Sequence, residues 1–185
     1  MDKLLEKKYS NRIRSDLAKK LKPYGFKRSK PTFYTRVKSD RIEFIHIHKF
    51  TSGPSFRVHI GARFFCDDFE AVALNGIDSD SFRKKYSLSY GRTEDSVLKC
   101  VEEMMEFILR EGFAWFDYWM DPMRLLNENE KDSPIHRFKN EYFKFQAGEE
   151  DQGKVTLSKM LLGIKDETKK GTSDEKSTWK GNSER

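Results

Sequence analysis

The stretch from Arg41 to Cys66 reads RIEFIHIHKFTSGPSFRVHIGARFFC and predicts two neighbouring antiparallel strands joined by a turn at 51–54. Apolar and polar side chains alternate along the second strand. The apolar set is Phe56, Val58, Ile60, Ala62 and Phe64, and the alternate set is Arg57, His59, Gly61 and Arg63. A period of two with one apolar side is typical of a strand that has one face on a hydrophobic core.

The pairing of the two strands predicts a cluster of histidines on one face. If the apolar sides share a face, Ile47 lies opposite Ile60, because a slip of one residue would reverse every side chain. This register places His48 opposite His59, with His46 diagonal to it. The polar face then carries five candidate ligand-binding residues, namely His46, His48, His59, Arg57 and Arg63.

Two interpretations of the three histidines stay open at this point. They could hold zinc or a similar metal ion and leave one coordination position free. They could equally form a polar sheet face that bonds to loops or solvent. The spacing fixes no fourth ligand, and Cys66 has the parity of the core side. We therefore predict no cofactor and keep a metal site at His46, His48 and His59 as the alternative.

The rest of the chain predicts an α+β fold. An apolar stripe of Leu5, Tyr9, Ile13, Leu17 and Leu21 predicts an N-terminal helix, which ends near Pro23 and Gly25. Strands are predicted at Thr32–Lys38 and, as a possibility, within 82–91. A helix capped by Thr93 follows over about 94–110, and a further helix begins at Ser133 and Pro134. The sum is an antiparallel β-sheet meander packed by an N-terminal helix and C-terminal helices.

Composition divides the chain into a domain and an extension. Residues 1–147 are predicted to form a single α+β domain. Residues 148–185 are rich in Gly, Lys, Glu, Ser and Thr and predict a polar extension, with a short helix at 155–164 and disorder from Asp166 to Arg185.

Charge and cysteine content indicate the compartment and the possible partners. The net charge is +6, and residues 1–40 hold thirteen Lys or Arg against four Asp or Glu. This basic N-terminal region could meet nucleic acid, or it could be an ordinary solvated surface. The sequence has no apolar run long enough to cross a bilayer and no signal peptide. These two observations predict a cytoplasmic protein with no membrane partner. The two distant cysteines, Cys66 and Cys100, predict reduced thiols.

An aromatic segment, FAWFDYW at 113–119, gives a second candidate surface. Its role is either to seal the preceding helix against the sheet or to form an exposed patch for a partner protein. The partner-interface candidates are Phe113, Trp115, Phe116, Tyr118 and Trp119. Motifs of nucleophilic or phosphate-binding enzymes are lacking, which favours a protein without catalytic activity.

Four segments resemble a known family of uncharacterised bacterial proteins. They are LKPYGFKRSKPTFYTRV, IEFIHIHKFTSG, FRVHIGA and FILREGFAWFDYW, and they fall within about residues 5–125. Together they are similar to the domain of unknown function 4304 family. The resemblance implies an α+β fold and brings no activity with it. The family pattern has Asn or Gln where this chain has His46, His48 and His59, which argues against a metal function shared across the family.

These observations favour a small cytoplasmic bacterial protein that binds another macromolecule, most simply another protein. An immunity, antitoxin-like or defence-accessory role is one hypothesis for the form of that function, taken from the resemblance. One alternative is a metal-binding protein or metal-dependent hydrolase that uses the three histidines. Another is nucleic-acid binding through the basic N-terminal region.

Overall fold

The computed structural model describes residues 2–127 and 131–165. Its elements confirm the predicted α+β class. The four strands are β1 (Lys27–Lys30), β2 (Phe33–Val37), β3 (Arg41–Lys49) and β4 (Phe56–Phe64). The helices are α1 (Lys3–Leu21), α2 (Glu94–Phe107), α3 (Phe113–Trp119), α4 (Pro122–Leu125), α5 (Lys139–Gln146) and α6 (Gln152–Leu162).

The strands form one antiparallel sheet in the order β1-β2-β3-β4. The predicted register between β3 and β4 is wrong by two residues, because Ile45 and not Ile47 lies opposite Ile60. In the observed register all nine residues of β3 pair with the nine of β4, and the Phe50 N–H closes the turn on the Ser55 carbonyl at 3.0 Å. An even shift keeps every side chain on its predicted face.

The main hydrophobic core lies on one side of this sheet, which we call the core face. Ile45, Ile47, Val58 and Ile60 point into it and are fully buried. The predicted stripe of α1 packs there, and α2 follows with its own apolar side. The Thr93 side chain caps α2, since its oxygen accepts a hydrogen bond from the Ser96 N–H at 3.2 Å.

Two parts of the sequence prediction differ from the structure. Instead of a strand within 82–91, a 3₁₀ turn at Ser79–Phe82 leads into irregular chain. This chain meets the start of β4 at the Ser55–Ser89 bridge and through the hydrogen bond that the Phe56 N–H donates to the Leu88 carbonyl at 2.9 Å. The aromatic alternation there reflects burial of Tyr86 and Tyr90 in the main core. The prediction also missed β1, because its sequence KRSK carries no apolar alternation.

Gly112 lies in a π-helical turn of the long helix that α2 and α3 form and does not end it. The turn Ile108–Gly112 is a π-helix, and α3 continues directly from it. A Cβ on Gly112 would lie 3.0 Å from Ile60 Cδ1. A side chain at this position would therefore crowd Ile60 of β4.

The opposite side of the sheet, which we call the second face, is covered at one end only. There Leu162 of α6 forms a small core with Ile42, Phe44 and Phe65. The predicted helix at 155–164 thus corresponds to α6, which contacts the sheet. The predicted disordered segment 166–185 lies outside the described residues.

Among the described residues, we find no helix with the length and apolar character needed to cross a bilayer.

Candidate functional site: the open end of the second face

Arg63 anchors the covered end of the second face. Its Nε donates to Ser158 Oγ of α6 at 3.0 Å, and its Nη1 donates to Asp67 Oδ2 at 2.8 Å. Nη2 also donates to the Asp67 carbonyl at 2.6 Å. The side chain is fully buried by these contacts. Arg63 is therefore a structural residue, and its place among the predicted ligand-binding residues is corrected.

The other end of the second face carries a row of three rings. Phe33, His46 and His59 occupy the same level of β2, β3 and β4, because Phe33 pairs with His46 and His46 pairs with His59. The ring centroids of Phe33 and His46 are 4.4 Å apart, and those of His46 and His59 are 5.8 Å apart. Adjacent planes are inclined by less than 30°. All three side chains are half-buried.

A second row continues this surface towards the β3–β4 turn. His48 is exposed and lies opposite Arg57. The Phe50 ring meets the His48 ring edge-on at 5.7 Å, and the Arg57 guanidinium carbon lies 5.3 Å from the Phe50 centroid. Arg57 also forms an ion pair with Asp80. We call the surface formed by Phe33, His46, His48, Phe50, Arg57 and His59 the open end.

Burial keeps the central imidazoles of the open end uncharged. Burial lowers the pKa of His46 to about 4, and the nearby His59 and His48 act in the same direction. The pKa of His59 is also lowered, mainly by burial, while the Asp78 carboxylate opposes this shift. At neutral pH His46 is therefore a neutral imidazole with one donor and one acceptor nitrogen. Its Nδ1 is buried and has no hydrogen-bond partner among the described residues.

The three histidines share the predicted face, but they do not form a three-ligand centre. His46 and His59 lie with their rings nearly parallel, and His48 is one level further along the strand. Within residues 2–127 and 131–165, no group of three or more His, Cys, Asp or Glu side chains is placed to hold a metal ion. Metal binding at His46, His48 and His59 thus stays a prediction without geometric support.

The aromatic segment 113–119 belongs mostly to the main core. Trp115, Phe116 and Trp119 are buried there, and Phe113 packs between Tyr24 and Phe26. Only Tyr118 is exposed, at 41%. The expectation of an exposed aromatic patch is therefore wrong for the other residues, because the short helix α3 packs them into or against the main core. Of the two predicted roles, the structure supports the first, in which the segment packs the preceding helix against the sheet.

Part of the basic N-terminal region, residues 1–40, forms the solvent side of α1. Lys3, Lys7, Lys8, Lys19 and Lys20 are exposed there. Part of its charge is compensated, since Lys19 contacts Asp16 at 3.0 Å and Arg12 pairs with both Asp16 and Glu94. The positive charge of α1 thus lies on a helix surface away from the open end. The other six Lys or Arg of residues 1–40 follow α1, in β1, β2 and the segments beside them.

Sequence reasoning missed two members of the open end. The sequence places Phe33 in the strand Thr32–Lys38 and Phe50 at the end of the first strand of the pair, but it gives neither residue a role, because aromatic residues are typical of both a core and a surface. When the pairing of β2 with β3 is known, the alternation of side chains along β2 places Phe33 on the same face as the histidines. Comparisons with protein-family models, with curated proteins and with solved structures find no match to this chain.

Proposed function

We propose that this is a cytoplasmic, non-enzymatic binding protein that holds another protein against the open end of the second face. One observation carries the proposal, namely the row of Phe33, His46 and His59 left half-exposed beside a face that α6 covers only in part. A sheet face with apolar and aromatic character is normally covered by another layer. A partner would complete that layer at the open end.

The composition of the open end suits a protein interface. Interface cores are enriched in aromatic residues and arginine and depleted in lysine and acidic residues. The open end supplies two phenylalanines, three histidines and Arg57. Neutral imidazoles at His46 and His59 lose little solvation when covered and can still donate and accept hydrogen bonds. A bacterial immunity, antitoxin-like or defence-accessory role is the form of this function that the family resemblance favours.

Affinity capture from native lysate with two matched variants tests the proposal. His48→Glu places a carboxylate on the exposed part of the open end, where it leaves the core intact. Arg110→Glu also introduces a carboxylate, but on the solvent side of the helix, where Arg110 is exposed and forms an ion pair with Glu106 at 3.1 Å. We expect His48→Glu to lose a partner that the wild type and Arg110→Glu both retain. Equal recovery with both variants, or no partner for the wild type, would contradict the proposal.

Nucleic-acid binding is the second candidate, and the exposed lysines of α1 favour it. Binding through these side chains would depend strongly on salt, because each phosphate contact releases counterions. A mobility-shift assay with DNA and RNA over a range of salt concentrations tests this candidate. Loss of the shift in Lys7→Glu/Lys8→Glu would support it, and a shift that is absent or independent of salt would remove it.

A further inference from the structure

We propose that a groove between the strands β1 and β2 and the C-terminal end of α6 binds a small organic anion that has an apolar part. This α6 groove encloses about 580 Å³, a volume typical of small-molecule sites. It is separate from the open end, since it lies beside the covered end of the second face. The proposal therefore stands independently of the proposed protein partner.

The charge of the groove selects for anions. Lys27 of β1, Lys159 of α6 and Lys165 after α6 line it from different sides. Arg36 is also in its wall, but its Nε is engaged by Glu43 Oε2 at 2.6 Å. The described residues that line the groove include no Asp or Glu. The charged side chains among these described lining residues are thus all positive, and cations that line one groove create a positive potential that attracts an anionic ligand.

The groove also has an apolar wall and an unused hydroxyl group. Val37, which is 50% exposed, and Ile164 both line the groove. Ser29 Oγ is buried and finds no hydrogen-bond partner among the described residues. An unpaired buried hydroxyl costs free energy, so a ligand that accepts its hydrogen bond would be favoured. The ligand class is thus an acid group that carries a short apolar chain.

The two walls of the groove are held together by specific contacts. Gly163 ends α6 with φ at +71°, and a Cβ there would lie 2.9 Å from the Ser29 carbonyl oxygen. Lys30 Nζ donates to the Leu161 carbonyl at 2.5 Å. These contacts fix the end of α6 against β1. The groove is consequently formed by the fold and does not need to open before it binds.

Titrations followed by ¹H–¹⁵N spectra test the proposal with three probes. Octanoate has both the acid and the apolar chain, octylammonium has the same chain with the opposite charge, and acetate has the acid alone. We expect octanoate to bind saturably and to shift the amide signals of Gly163 and Ile164. We expect weaker binding of acetate and none of octylammonium at these signals. Binding of octanoate and octylammonium with equal affinity would overturn the proposal.

Charge variants complete the test. Lys27→Gln/Lys165→Gln removes two charges of the groove, and we expect octanoate to bind roughly tenfold more weakly, as for the loss of two solvent-exposed attractions. Lys99→Gln/Lys144→Gln removes two charges elsewhere on the surface and should leave the affinity unchanged. Val37→Glu adds a repelling carboxylate at an exposed position and should abolish binding. Equal affinities of the two double variants, or no saturable binding by the wild type, would refute the site.

Discussion

His46 and His59 lie directly opposite each other on β3 and β4, with ring centroids 5.8 Å apart and planes inclined by 24°. Two imidazoles this close cannot both take up a proton without repulsion. Burial and this repulsion together hold the pKa of His46 down to about 4. The pair therefore makes the open end an uncharged hydrogen-bonding surface at neutral pH and a charged one in acid.

The lowered pKa of His46 predicts that acid destabilises the protein. An unfolded histidine has a pKa near 6.5, so the unfolded chain binds more protons than the folded chain between about pH 6.5 and 4. The free energy of unfolding should fall as the pH decreases through this window. We expect a loss on the order of 1 kcal/mol from this residue, because the ring is half-buried and solvent screens its charge.

Urea unfolding at several pH values between 7.5 and 4 measures this effect. His46→Gln should flatten the dependence on pH in that window, whereas His136→Gln, at an exposed histidine, should not. An unchanged slope in His46→Gln would show that His46 is not responsible.

The buried Arg63 should be the most costly charged side chain to remove from the second face. Arg63→Met leaves the Asp67 carboxylate and Ser158 without their shared partner, and loss of one member of a buried pair costs about 3–5 kcal/mol. Arg110→Met removes an exposed arginine that forms an ion pair with Glu106 and should cost less than about 0.5 kcal/mol. Chemical denaturation compares the two variants. Similar costs would contradict the anchoring role.

Gly163 should tolerate alanine less well than Gly148 does. Both glycines have positive φ, at +71° and +94°, so Gly163→Ala and Gly148→Ala share a backbone strain of about 1–2 kcal/mol. Only at Gly163 would the new Cβ also meet neighbours, with Lys30 Cγ at 2.7 Å and the Ser29 carbonyl at 2.9 Å. We expect Gly163→Ala to cost about 1 kcal/mol more in thermal or urea unfolding. Equal losses in the free energy of unfolding for the two variants would show that the end of α6 does not pack tightly against β1.

Both cysteines should resist alkylation in the folded protein. Cys66 and Cys100 are buried, and burial raises the pKa of each thiol to about 12. The reactive thiolate is therefore scarce and shielded at pH 8. We expect iodoacetamide to modify neither residue without denaturant and both in urea, as measured by mass spectrometry. Rapid modification of the native protein would contradict this burial.

The sheet could be predicted from the sequence where the side chains alternate. The parity of β4 placed His59, Arg57 and the apolar set on their observed faces. The predicted register differs from the observed one by two residues, because the alternation of side chains determines the face of the sheet but not the pairing position along the strand. The six-residue turn between Lys49 and Phe56 has no sequence signal that sets its length.

The limits of the open end could not be predicted from the sequence. They depend on where α6 ends on the second face, and α6 reaches this face through the contact of Arg63 with Ser158, 95 residues away in the chain. Nor does local sequence show that Trp115 and Trp119 are buried, because an aromatic segment is compatible with both a core and a surface.

Photo-crosslinking in cells tests most directly whether a partner covers the open end. A photoreactive phenylalanine analogue replaces His48, which is exposed at the open end, and in a matched strain it replaces Leu98, which is 43% exposed on α2. The account predicts a discrete crosslinked protein species from position 48 and none from position 98. A species from position 98 alone, or no species from either position, would contradict it.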